Sequence, residues 1–131
     1  MPIEYTLERN GALVMASATG VLSLDSFMSL REELLNDPVL KDPHDTLLDV
    51  TRVSRIDLSE DELNTIAQSL TSGPRKLGAQ RLAIVAHQEQ AFFLGNKYRM
   101  TKKGVDENVI VFVNYEVAKT WLGINPLKVT D

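Results

Sequence analysis

Short apolar runs alternate along this chain with longer stretches in which apolar residues recur every three or four positions, and these two periods divide it into strands and helices. Tyr5-Thr6-Leu7-Glu8 is extended, Asn10-Gly11 is a strong turn signal, and Ala12 to Thr19 reads as a second strand closed by Gly20. The two predict an antiparallel hairpin. Ser23 is placed to cap a helix with Asp25 in its first turn, and Phe27, Leu30, Leu34 and Leu35 mark a buried stripe that leaves Arg31, Glu32 and Glu33 outside. Asn36-Asp37-Pro38 ends that helix, and a proline-punctuated connection runs from Val39 to Asp45.

Thr46-Leu47-Leu48-Asp49-Val50 is too continuously apolar for a strand with one hydrated face. Ser59-Glu60-Asp61-Glu62 fits a capping box, followed by a stripe of Leu63, Ile66, Ala67 and Leu70 and a stop at Ser72-Gly73-Pro74. A fourth strand spans Arg81 to Ala86, and a helix from about Glu89 to Lys103 has Gly104 suited to its end. Val109 to Val113 is a fifth strand. Tyr115 to Leu122 forms a short helix that turns Val117, Ala118, Trp121 and Leu122 to the sheet, and Pro126 opens a tail. This alternation predicts one α/β domain over residues 1–131, with a core from 4 to 122 and right-handed crossovers joining parallel strands.

A chain of 131 residues can bury roughly two-thirds of its unfolded surface. The lack of cysteine excludes disulfides, thiolate metal sites and thiol catalysis. Met1-Pro2-Ile3-Glu4-Tyr5 has no signal-peptide pattern, and the apolar runs fall far short of the roughly 20 residues that span a bilayer. A cytoplasmic protein without an integral membrane segment is expected. A net charge of −4 argues against a nucleic-acid partner. The charge is uneven, because residues 1–66 hold 13 acidic and 5 basic side chains and residues 67–131 hold 5 acidic and 9 basic.

No HExxH, nucleophile elbow or Walker loop is present, and Thr71 to Gly78 lacks the phosphate-loop order. His44 and His87 lie in or beside different loops without a ligand-spaced set, so each is expected in a surface or satisfied loop role. No cofactor, metal or enzymatic activity is expected. The region after the third strand is more informative. Asp49 stands near the strand's carboxyl end, where open α/β sheets place binding groups, and Asp57 precedes Ser59. Each carboxylate either organises a loop or contacts a ligand, and Ser59 is either a helix cap or a phosphate acceptor. In the following helix Phe92 and Phe93 cannot both reach the centre of the face shared by Ala91, Leu94 and Tyr98, so the set either packs mostly into the core or leaves one aromatic to an interface, a gap between helices or an apolar ligand. Lys97, Arg99, Lys102 and Lys103 make a local basic surface.

Gly20 after a strand, Leu47 to Val50 with Ile56-Asp57-Leu58-Ser59 beyond it, Arg81 to Ala86, and Val111-Phe112 followed by Ala118 and Trp121-Leu122 form a recognisable set. Over residues 4–122 the chain resembles the SpoIIAA-like, or STAS-like, family of bacterial domains, related in fold to anti-sigma-factor antagonists and Sec14-type lipid-binding domains. The resemblance implies a SpoIIAA-like β/α superhelix: a mixed, mostly parallel five-stranded sheet with an antiparallel N-terminal edge strand. It also implies a switch segment. Asp57, Leu58, Ser59 and Glu60 fall on the antagonists' Asp-Ser-Ser-Gly, whose second serine accepts phosphate; here leucine and glutamate replace the first serine and the glycine.

The expected function is therefore a noncatalytic regulatory or protein-interaction domain acting through a loop from Thr51 to Ser59, with Asp49, Thr51, Arg52, Arg55, Asp57 and Ser59 as contact or switch residues. The alternative is a carrier of a lipid-like ligand with Phe92, Phe93 and Tyr98 near the opening. Both sides of the strands carry apolar residues, so a sheet with helices mostly on one side predicts a homodimer that covers the other.

Overall fold

A computed structural model of the chain describes residues 3–41, 44–71, 81–90 and 109–123. The elements are β1 (Ile3–Glu8), β2 (Leu13–Ser23), α1 (Leu24–Leu35), β3 (Asp45–Asp57), α2 (Glu60–Thr71), β4 (Leu82–Val85), a helical turn over 88–90, β5 (Val109–Phe112) and α3 (Tyr115–Trp121). They form the expected mixed sheet in the sequential order β1-β2-β3-β4-β5, with β1 antiparallel to β2 and every other pair parallel. The expected stop at 72–74, the phosphate-loop comparison at 72–78, the helix after Gln90 with its aromatic and basic residues, and the tail at Pro126 lie outside the described residues.

The hairpin turn occupies 9–12, between the pair Glu8 and Leu13. Arg9, Asn10 and Gly11 all take positive φ, at 54°, 57° and 95°. Only glycine fits the third position, because a Cβ there would lie 1.8 Å from the carbonyl oxygen of Val39. That close approach docks the segment after α1 onto the turn, where Lys41 N–H donates to Gly11 O at 2.8 Å and Asp45 N–H to Ala12 O at 2.9 Å.

Helix α1 starts as its sequence predicts. Ser23 Oγ accepts from Ser26 N–H, Ser26 Oγ accepts in return from Ser23 N–H, and Asp25 sits in the first turn. Its stripe of Phe27, Leu30, Leu34 and Leu35 packs with Leu63 and Ile66 of α2 on one face of the sheet, over Val14, Ala16, Ala18, Leu48 and Val50. The opposite face is smaller. Ala118 and Leu122, both fully buried, lie with Leu13, Leu47, Ala83 and Val85, flanked by Met15, Phe112 and Trp121. On β1 the residues of that second face are Glu4, Thr6 and Glu8, which are exposed and alternate with the inward Ile3, Tyr5 and Leu7. The second face is therefore covered from within by α3 where it is apolar and solvated where it is polar. Among the described residues, α3 thus supplies cover on the face for which a second subunit was expected.

A polar clasp holds α3 in place. Asp45, with its side chain only 10% exposed, takes a two-pronged contact from Arg81, Nη2 to Oδ2 at 2.7 Å and Nε to Oδ1 at 3.4 Å. The same guanidinium donates to the carbonyls of Trp121 and Leu122 at the end of α3, at 2.7 and 3.3 Å, and lies over the Trp121 ring. From the hairpin turn Arg9 donates to Leu122 O at 2.7 Å and stands 3.7 Å from Asp45. Two cations thus meet the negative end of the helix and a nearly buried carboxylate together. The hydrogen bond to Asp45 raises the Arg81 pKa above its ordinary value against the opposing effect of burial.

Strand β3 corrects the sequence-based picture. Its predicted end was Val50, with a loop from Thr51 to Ser59; instead Thr51 to Asp57 continue the strand beside an equally extended β2. The register slips twice, since Ser17 pairs with Asp49 but Thr19 with Arg52, and Gly20 with Val53 but Val21 with Arg55. Each slip is a bulge that gives β3 one extra residue. Gly20, at φ 69°, sits at the second. The bulges hid the strand, because they space the inward Val53 and Ile56 three residues apart and erase the period of two.

Truncating Arg81 to Ala leaves Asp45 only its longer contact with Arg9 and should lower stability by about 3 kcal/mol, the low end for nearly buried ion pairs broken from one side. Arg9→Ala, which leaves the short pair intact, should cost about 1 kcal/mol. Urea unfolding of both variants measures the order, and equal losses would refute a clasp centred on Arg81.

Candidate functional site

Beyond Asp49 the sheet narrows to β2 and β3, because β4 pairs with β3 only from Thr46 to Asp49. The two long strands continue as an arm to Ser23 and Asp57, which stand opposite each other in register. Of the sequence-predicted site residues, Thr51, Arg52, Arg55 and Asp57 lie along the outer strand of this arm, Asp49 at its root and Ser59 just beyond its tip. Phe92, Phe93 and Tyr98 lie outside the described residues, and with them the features of the carrier alternative.

Asp49 has a local role. Its Oδ1 accepts from Thr51 N–H at 2.9 Å and from Thr51 Oγ1 at 2.7 Å, so the carboxylate satisfies backbone freed by the first bulge. Ser59 is a cap. Its Oγ accepts from Glu62 N–H at 3.1 Å, and Glu62 Oε1 accepts from Ser59 N–H at 2.9 Å. With Glu60, Asp61 and Glu62 in the first turn of α2, this helix start is already supplied with acceptors and negative charge. Asp57 stands 3.8 Å from Arg55, and both side chains are about two-thirds exposed, so the pair is weak.

The outer edge of the arm is held at one point by a residue that the sequence reading did not single out. Gln90 Nε2 donates to Val53 O at 3.2 Å, and its Oε1 accepts from His87 N–H at 2.9 Å. One amide thereby starts the turn over 88–90 and ties it to β3. The legible signal was the spacing of three from His87, the reach of a capping residue. Around this tie Val53, Ser54, Arg55, Ile56, Glu89 and Gln90 line an open depression of about 210 Å³. Arg52, Ser54 and Arg55 are exposed beside it.

His87 is exposed, whereas His44 is buried, with Nδ1 2.9 Å from Lys41 O and no hydrogen-bond partner at Nε2 among the described residues. Among the described residues no three His, Cys, Asp or Glu side chains gather as metal ligands, and no helix is long and apolar enough to cross a membrane. A second open depression, of about 510 Å³, is bordered by Tyr5, Glu32, Glu33, Asn36, Asp37 and Pro38. There Tyr5 OH donates to Asp37 Oδ2 at 2.7 Å. Burial first, then that bond and the charges of Asp37 and Glu33, push the Tyr5 pKa up to about 12.

No family model matches the sequence, and no curated protein matches it either. Among solved structures the chain is similar to an uncharacterized protein from the DUF3478 family with a SpoIIAA-like fold, from Shewanella loihica. The identity is 20% and the TM-score 0.59, over 92% of this chain and 93% of that one. The likeness and the strand order together establish a SpoIIAA-like β/α fold.

Two outcomes follow from this geometry. Ser59→Ala should cost about 1 kcal/mol in chemical denaturation through loss of the cap; no change would mean that the capping box contributes nothing. The folded state holds the Tyr5 proton to about pH 12, while the unfolded chain releases it near 10. The stability Tyr5 adds is therefore whole below pH 10 and lost as pH rises through about 12. Tyr5→Phe should flatten the fall in stability over that interval, measured by denaturation at a series of alkaline pH values.

Proposed function

We propose that this chain is a noncatalytic interaction domain whose contact surface is the outer strand of the β2–β3 arm. The observation that carries the reading is the continuation of β3 past the end of β4. Paired by β2 on one side, the strand from Thr51 to Asp57 keeps its other edge beside the depression, with Gln90 bonded to Val53. A strand edge with main-chain groups to offer and side chains on either side is a surface that a protein partner can read. Arg52 and Arg55 supply charge for orienting an encounter, and Val53 and Ile56 form the apolar floor. Asp49 serves this surface by stabilising the bulge at its root, and Ser59 by fixing where α2 leaves it. Both act in position rather than in contact.

Photo-crosslinking in cells of the source organism tests the reading, with the reactive group placed at Ser54 on the arm or at Thr6 on the far edge of the sheet. A protein adduct is expected from Ser54 alone, lost when Arg52→Glu and Arg55→Glu are combined in a chain whose circular dichroism is unchanged. Equal adducts from both positions, or an adduct indifferent to charge reversal, would overturn the assignment.

A further inference from the structure

The two outer strands of the sheet are treated very differently by the sequence. On β1 every second residue is polar and exposed, Glu4, Thr6 and Glu8, so a strand approaching that edge meets carboxylates. On β5 the run Val109-Ile110-Val111-Phe112-Val113 contains no charge and no proline, and its pairing with β4 is regular from end to end. Charges, prolines and bulges are the devices by which proteins keep an edge strand from pairing with another chain. Here β5 carries none. Among the described residues no strand pairs with its outer side.

The exposed apolar surface gathers at the same place. Ile110 is 40% exposed, Val113 58%, Tyr115 37% and Val117 52%, all within eight residues at the junction of β5 and α3, whereas the other large exposed apolar residues among those described, Val21 and Val39, stand apart. The charge in this patch cancels internally, since Lys119 Nζ lies 3.4 Å from Glu116 Oε2.

We infer that β5 is a homodimer edge, on which a second copy of this chain pairs antiparallel about a twofold axis to make one sheet continuous across both protomers. The second copy is favoured by self-complementarity. Every position from 109 to 113 is apolar, so each antiparallel register sets apolar residue against apolar residue. Among the described residues of the patch the charged Lys119 and Glu116 pair with each other, and positions 109–113 bring no charge to the contact. This interface replaces the sheet face that α3 already covers. It is independent of the arm on β3, so the failure of either proposal leaves the other standing.

Sedimentation velocity of the full chain from nanomolar to high micromolar concentration provides the test. A reversible monomer–dimer equilibrium is expected. Ile110→Lys on the strand and Val113→Lys just beyond it should each weaken the equilibrium by about tenfold or more, a decade in dissociation constant. Thr6→Lys on the opposite edge, and the combined Arg52→Glu and Arg55→Glu chain, should leave it unchanged. Circular dichroism identifies any variant that fails to fold, and Val113→Lys, in the bend after β5, is the milder of the two. A single monomeric mass at all concentrations overturns the inference, as does a folded Val113→Lys chain that dimerises like the parent.

Discussion

The carboxylate of Asp45 must be compensated where it is, nearly out of solvent at the first residue of β3, and the way this is done organises one whole end of the molecule. Arg81, on the residue before β4, supplies the short contacts; Arg9, from the hairpin turn, supplies a longer one; and both pass on to the last carbonyls of α3. A nearly buried charge left without its partner is more costly than most single contacts are stabilising. The clasp therefore fixes the starts of β3 and β4 against each other and brings α3 onto the second face. It also explains why Arg9 tolerates a positive φ, since its side chain is anchored by groups far along the chain.

At the opposite end the controlling feature is backbone register. Pairing with β4 stops at Asp49, two bulges against β2 follow in β3, and Asp49 satisfies the amide that the first one frees. The sheet thus passes from five strands at its centre to two at the arm. Polar atoms that a sequence reading would assign to chemistry are occupied with geometry: Asp49 with a bulge, Ser59 and Glu62 with a helix start, Gln90 with a turn and a strand edge. With those groups engaged, the exposed side chains along the outer strand of the arm include Arg52, Ser54 and Arg55. Arm and clasp lie at opposite ends of the same strands, so the surface proposed above is separated from the contacts that hold α3 in place.

Much of this was legible in residue order because it depends on neighbours. The hairpin, the cap at Ser23, the capping box at Ser59, the stripe on α1 and the sequential mixed sheet all follow from local periods and from residue types within three or four positions of one another. A charged residue inside an apolar run, such as Asp49 after Leu47-Leu48, also marks itself. Its task does not, because an acceptor for a bulged amide and an acceptor for a ligand look the same in sequence.

What only the tertiary structure decided involves groups distant in sequence or a shift in register. Arg81 and Asp45 are 36 residues apart, and Arg9 and Leu122 are 113 apart. Nothing in the local pattern at any of them announces the pairing. The residues from Thr51 to Asp57 carry the pattern of a loop because a bulge shifts the inward positions from every second to every third residue, and only the opposing strand reveals that they remain paired. The cover of the second face was likewise hidden. Strands with apolar residues on both sides require two covering layers, and residue order states that requirement; whether the second layer is another subunit or α3 depends on where a seven-residue helix is pinned, which is set by two arginines reaching its final carbonyls from elsewhere in the chain.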